Sequence, residues 1–164
     1  AQVHDILLSN DVSALELQQP DFVSQVLEAL QRNGVEPHLL TMELTESVLL
    51  HDMETAATKM HDLHMAGVRL SLDDFGTGYS SLSTLRRMPF SELKIDRAFV
   101  AEVTRDPNAA SITRNLLQLG HDLGIDVIAE GIEQQEQYEF LRTQDCDLFQ
   151  GQLFGKPMAV DAFE

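Results

Sequence analysis

Cysteine is almost missing from this chain. Cys146 is the one example in 164 residues. That excludes an intramolecular disulfide framework and a cysteine-based zinc site, and it suits a reducing compartment. Basic residues are scarce too: 11 Lys and Arg face 27 Asp and Glu, a formal net charge of −16. A field of that sign repels nucleic-acid backbones and anionic membrane surfaces. Neither a nucleic-acid polymer nor a membrane is therefore an expected partner, whereas an anionic small ligand stays open where cations mediate. No apolar run approaches the roughly 20 residues that span a bilayer, and no secretory leader is visible. The expected location of this segment is cytoplasmic, whatever anchors a longer parent. Low-complexity linkers are also absent, so the chain reads as one domain or a large piece of one.

What is present is a regular alternation of strand-like and helix-like stretches. Ile6–Ser9 is a short apolar run. Phe22, Val26 and Leu30 recur at helical spacing until Gly34. Leu39–Leu44 reads as a second strand. Met53, Ala56, Met60 and Leu63 mark a second helix, ended by Gly67, and Val68–Leu72 follows as a strand. Ser80–Arg87 is a short helix stopped before Pro89, and Glu92–Ile95 is the fourth strand. Asp106 then caps a long helix with Pro107 at its first position. Its apolar face is expected at Ile112, Leu116, Leu119 and Leu123, and Gly124 closes it. Asp126–Ala129, a helix over Gln134–Thr143 and a strand at Leu148–Gln150 complete the pattern. Strand–helix alternation implies an α/β fold with a parallel sheet, and both the open sheet and the closed (β/α)8 barrel fit it.

Function in such folds collects at the C-terminal ends of the strands. Each strand end here carries a charged or amide side chain: Asp11 beside Asn10, Glu43 with Glu46 beyond it, the adjacent pair Asp73-Asp74, Lys94 followed by Asp96, Glu130 with Glu133, and Gln150. A lone carboxylate in such a place is ordinarily a helix N-cap or a solvated loop residue. Six strand ends together are harder to dismiss. Five or more carboxylates converging on one mouth repel each other unless cations neutralise them. Ligand sets made only of oxygen favour hard ions such as magnesium, manganese or calcium. Adjacent carboxylates let one residue bridge two metals, the arrangement used in two-metal hydrolysis of phosphodiesters. Glu46 could cap the next helix or steady the glycine-rich loop after Asp73.

Other motifs lead nowhere. Asp74-Phe75-Gly76 imitates the DFG of kinases without a kinase catalytic loop. Gly76-Thr77-Gly78 lacks the third glycine of a dinucleotide fingerprint, because Ser81 stands in its place. Gly155-Lys156-Pro157 lacks P-loop spacing. His61 and His64 read as surface or packing histidines, and the methionines as core.

Five segments match one family in order and spacing: "MELTES" (42–47), "DDFGTGYSSL" (73–82), "LKIDRAFV" (93–100), "AEGIE" (129–133) and "QGQLFGKPM" (150–158). The chain resembles, over essentially its whole length, the EAL family of bacterial cyclic di-GMP phosphodiesterases. The resemblance implies a (β/α)8 TIM-like barrel that hydrolyses cyclic di-GMP to linear pGpG with magnesium or manganese, and that calcium inhibits. It implies that Glu43 and Asp73 hold one metal, that Asp73 bridges to a second, and that Asp74 and Glu130 hold that second ion. Lys94 would hydrogen-bond the attacking water. Glu133 and Gln150 would order the metal shell and substrate. Glu46 would anchor the Asp73–Ser81 loop, which links the site to a homodimer.

Two departures follow. Where the family carries a metal-ligating asparagine in an "NxS" segment, Asp11 occupies that register and Asn10 lies one place early. The Glu-Ala-Leu signature is expected on a strand well before Ile6, a part of the domain outside this sequence. About six of eight strands are then present. Residues 1–164 read as the C-terminal part of the domain, to which the parent protein would add upstream regulatory domains. The fragment alone is expected to be inactive. The alternatives are a degenerate relative that binds cyclic di-GMP or a protein partner without cutting, and a phosphodiesterase for other nucleotides.

Overall fold

The computed structural model describes residues 7–51, 53–76 and 82–159. The chain divides into two compact units, Ala1–Leu93 and Lys94–Glu164. The first contains β1 (Leu8–Asp11), α1 (Ala14–Gln18), α2 (Phe22–Asn33), a 3-10 turn (Pro37–Leu39), β2 (Leu40–Thr45), α3 (Glu46–His51), α4 (Met53–Met65), β3 (Arg69–Phe75) and α5 (Leu82–Arg87). β4 (Glu92–Ile95) runs through the division. The second unit continues with α6 (Arg97–Glu102), α7 (Pro107–Leu123), β5 (Asp126–Ala129), α8 (Gln135–Thr143) and β6 (Leu148–Phe149). The α/β alternation and six strands expected from the sequence are thus found among the described residues.

In the first unit β1, β2 and β3 are parallel neighbours, with Asp11 opposite Glu43, Glu43 opposite Ser71 and Thr45 opposite Asp73. Side chains alternate across a strand. Met42, Leu44, Leu70 and Leu72 are therefore on one face, and all four are buried. Thr41, Glu43, Ser71 and Asp73 are on the other. Ala56, Met60 and Leu63 of α4 and Phe22 and Leu30 of α2 complete the apolar core. Each large side chain so buried contributes about 1.5–3 kcal/mol. α2 stops where the sequence places its end: Gly34 takes φ 64 and its N–H returns to the Leu30 carbonyl.

In the second unit β5 and β6 are parallel, and α7 has the expected ends. Asp106 Oδ1 accepts the Asn108 N–H at 2.9 Å, Pro107 opens the helix, and Gly124 closes it at φ 69. Its buried stripe differs from expectation. Ala109, Ala110, Thr113, Leu117 and Gly120 are buried, whereas Ile112 is 41% exposed and Leu116, Leu119 and Leu123 are half-buried. The cause is Gly120, where an added Cβ would lie 2.1 Å from Val127 Cγ2 of β5. The helix docks through its small residues, because only they allow that approach.

Three helices escaped the sequence reading: α1, α3 and α6, of five or six residues each. They are too short to show a period. Several boundaries also move: β2 is Leu40–Thr45 and β6 ends at Phe149. β1 begins at Leu8 and includes Asp11, with Ile6 outside the described residues. β3 runs through Asp73, Asp74 and Phe75 rather than stopping at Leu72. The expected helix start at Ser80 and Ser81 also falls outside the described residues. Met42, Met60 and Met88 are core, but Met65 and Met158 are 72% and 57% exposed. Among the described residues no helix is long and apolar enough to cross a membrane.

Candidate active site

Register decides which acids meet in the first unit. Asp11, Glu43 and Ser71 are successive partners across β1, β2 and β3, and Asp73 lies two residues beyond Ser71 on the same face. One carboxylate oxygen from each of Asp11, Glu43 and Asp73 falls within 4.8 Å of the others. The Val12 N–H donates to the Glu43 carbonyl at 2.8 Å and fixes the end of β1 against β2. Asn10 is not in the group. Its Nδ2 donates to the carbonyl of Asp11 at 3.0 Å.

Asp74 stands beside this trio in an unusual conformation. Its φ is 55, and its N–H donates to Asp73 Oδ1 at 2.8 Å. A residue with a Cβ in the left-handed region costs on the order of 1 kcal/mol or more. The compensation here is a hydrogen bond that holds the Asp73 carboxylate in one orientation. Glu46 opens α3 and is 4% exposed, and neither of its carboxylate oxygens has a hydrogen-bond partner among the described residues. Ser71 Oγ is likewise buried without a partner. The loop that Glu46 was expected to anchor, and the homodimer contact expected there, run into residues 77–81, outside those described.

The trio suits a hard divalent cation. Its donors are all oxygen. Magnesium–oxygen distances of about 2.1 Å and calcium–oxygen distances of about 2.4 Å place opposite ligands roughly 4–5 Å apart, which matches the spread of the three carboxylates. Three anions at that spacing repel one another in the absence of a cation.

The second unit holds the other candidates. Lys94 is 5% exposed, and its Nζ lies 2.6 Å from Glu130 Oε1. A charge so little exposed needs an opposite partner to offset its lost hydration. The Glu130 N–H donates to the Ile95 carbonyl. Asp96 caps α6 by accepting the Ala98 N–H. Glu133 and Gln150 are exposed side chains on held backbones. Gln137 Oε1 accepts the N–H groups of Glu133 and Gln134, both at 2.9 Å. The Gln150 N–H donates to Ala129, and its carbonyl accepts the Ile132 N–H at 3.0 Å. Gly151 lies so close to Ile132 that a Cβ would sit 2.1 Å from the Ile132 carbonyl oxygen.

The structure therefore gathers Asp11, Glu43 and Asp73, sets Asp74 beside them, and pairs Lys94 with Glu130. His61 and His64 are exposed on α4, as expected. The sequence reading overlooked Gln137, a buried amide whose position three residues into α8 was the available signal. It also missed the ion pair between Arg69 and Glu92 at 2.5 Å. Cys146 is buried, and burial pushes its thiol up to about 11, so it is no nucleophile.

The model of the EAL domain family matches residues 1–157. The bifunctional diguanylate cyclase/cyclic di-GMP phosphodiesterase MucR of Pseudomonas aeruginosa is 42% identical over 92% of this chain and 22% of its own length. Across the curated relatives first matched, the chain spans about a fifth of their length, 19–22%. The structure of the PaMucR phosphodiesterase in complex with c-di-GMP superposes with a TM-score of 0.92 at 40% identity, covering 96% of this chain and 64% of that one. Klebsiella pneumoniae BlrP1 with manganese and cyclic di-GMP gives a TM-score of 0.85 at 32% identity, over 92% of this chain and 39% of that one. The fold is that of these enzymes, a TIM-like α/β type.

Proposed function

The chain belongs to the EAL domain family, and from that premise we propose that it forms the C-terminal part of a domain that hydrolyses cyclic di-GMP to linear pGpG. The observation that carries the proposal is the convergence of Asp11, Glu43 and Asp73 within 4.8 Å. These three would hold one magnesium or manganese ion. The motif match alone assigns Asp73 as a bridge and Asp74 and Glu130 as ligands of a second. When bound, such ions supply neutralisation of the phosphodiester charge and activation of water; calcium would occupy the site without supporting turnover.

The chain's own residues have separate tasks. The Asp74 N–H fixes the Asp73 carboxylate, so that ligand is oriented before any ion arrives. Lys94 is a buried cation held at 2.6 Å from Glu130. It would donate a hydrogen bond to the attacking water and oppose the charge that develops on the phosphoryl oxygens. Glu133 and Gln150 would orient substrate from backbones that Gln137 and Ile132 hold. The buried thiol of Cys146 fits a reaction without a covalent enzyme intermediate.

The test is conversion of cyclic di-GMP to pGpG by the full polypeptide carrying this sequence, with manganese, followed by chromatography. Asp73→Ala should lower turnover by more than about a hundredfold, the loss that even outer-shell changes reach in metal sites. Binding of cyclic di-GMP without cleavage would favour the non-catalytic receptor and overturn the hydrolase reading.

A further inference from the structure

We propose that Ser71 is a positioning residue for the metal site: its hydroxyl donates to the carboxylate of Glu43 when that carboxylate ligates a divalent cation. The inference rests on the metal site in the reading above. It adds a residue outside the ligand, water-activating and substrate-orienting sets.

Ser71 lies in the middle of β3 and is 0% exposed. Its Oγ has no hydrogen-bond partner among the described residues. A buried hydroxyl without a partner costs free energy that the methyl of an alanine would not. The backbone offers little relief. In a helix a serine can return its proton to a carbonyl one turn back. In a strand the carbonyls are aimed at the neighbouring strands. The metal-free fold therefore gains nothing from this oxygen, and its return must come from what the face binds.

Register sets Ser71 beside the ligands. It is opposite Glu43 of β2 and two residues before Asp73 on the same face. Neighbouring strands are about 4.8 Å apart, so a serine hydroxyl reaches toward the side chain beside it. The other polar groups of this face have different places. Asp73 has its orienting donor in the Asp74 N–H at 2.8 Å. Thr45 is engaged with Ser47 at 2.9 Å. Thr41 is opposite Arg69, at the far end of β3 from Asp73. Ser71 is the hydroxyl level with Glu43.

The chemistry suits the task. A carboxylate has two oxygens and about four acceptor positions. When one oxygen binds an ion, the other still accepts, and a donor there holds the group in its ligating orientation. Metal-bound carboxylates are ordinarily hydrogen-bonded in this way, and losing such a partner lowers metal affinity roughly 10–100-fold. A hydroxyl carries no charge, so it orients Glu43 without opposing the cation.

The experiment uses the full polypeptide carrying this sequence, with manganese as the probe. Ser71→Ala removes the hydroxyl beside Glu43. Thr113→Val is the control: it removes another buried hydroxyl without a partner, on α7 of the second unit, and keeps its shape. Titration calorimetry should show manganese binding about tenfold weaker in Ser71→Ala and unchanged in Thr113→Val. In chelator, with no metal bound, both variants should melt at or above wild type, because each loses an unsatisfied group. Turnover of cyclic di-GMP by Ser71→Ala should recover to the wild-type rate once manganese saturates. Unchanged manganese affinity in Ser71→Ala would overturn the proposal. An equal loss in Thr113→Val would overturn it as well. So would a metal-free Ser71→Ala protein that melts below wild type, since the hydroxyl would then serve the fold. If wild type binds cyclic di-GMP without cutting it, the hydrolase reading fails, and the manganese titrations still decide the role of Ser71.

Discussion

Asp11 and Asn10 are adjacent and chemically similar, and a one-residue difference in strand phase places them on opposite faces of the sheet. Asp11 pairs with Glu43 on the polar face. Asn10 pairs with Met42 and turns its amide to a backbone carbonyl. The trio consequently has three carboxylates where an asparagine would leave two. One added charge near a divalent ion contributes about 1 kcal/mol or more even in water-like surroundings. Asp11→Asn should therefore weaken manganese binding about fivefold or more while hydrolysis persists; titration calorimetry on the full polypeptide measures it. Asn10→Ala should leave that affinity alone. If Asn10→Ala weakens the metal and Asp11→Asn does not, the ligand has been assigned to the wrong residue.

Elements show a different competition, between local preference and packing. Alanine is about 1 kcal/mol better than glycine inside a helix, so Gly120 in the middle of α7 is locally unfavourable. Its neighbour explains it. A Cβ at 2.1 Å from Val127 Cγ2 is far inside contact, and Val127 is fully buried. Overpacking of this kind costs about 1–3 kcal/mol. With the Ile125 carbonyl also 3.3 Å from the same Cβ, the steric term exceeds the propensity gain. Gly120→Ala should lower the melting temperature by several degrees, about 2–4 °C for each kcal/mol in a domain of this size. Val127→Ala in the same chain should recover part of the loss. A Gly120→Ala protein that melts above wild type would show that α7 can move away from β5 at little cost.

At the scale of the whole molecule, unpaired surface is the dominant fact. Among the described residues β1 has a strand neighbour on one side only, and Leu7 and Leu8 are 47% and 56% exposed. Beside them an apolar groove of about 480 Å³ is lined by Val26, Leu30, Val35 and Met42. Leu148 on β6 is 42% exposed. Open edges flanked by apolar surface promote association. The Glu-Ala-Leu stretch that the sequence does contain, Glu28–Leu30, lies in α2 with Glu28 exposed, and not on a strand end where it could add a ligand to the trio. A polypeptide of these 164 residues should self-associate in sedimentation and show no measurable cleavage of cyclic di-GMP. Joining it in cis to a segment bearing that signature should restore both a defined size and activity. A monomer of the 164 residues turning over at about 1 s⁻¹ or faster, an ordinary enzyme rate, would refute this.

The sequence by itself determined the order of strands and helices, the caps of α7 and the end of α2. Periodicity, proline, glycine and capping carboxylates act over a few residues, so they can be read locally. It also displayed the family motifs and the acids that stand near the strand ends. Tertiary structure alone decided which of those acids meet. Asp11, Glu43 and Asp73 come from three strands whose register is set by pairing across the sheet, and no local spacing encodes it. The same holds for the partnership of Lys94 with Glu130, for the burial of Glu46, and for the face α7 buries. Two stripes of α7 have helical spacing, and the closeness of Val127 to Gly120 chose between them. Contacts between residues far apart in the chain depend on distances that exist only once the backbone is folded.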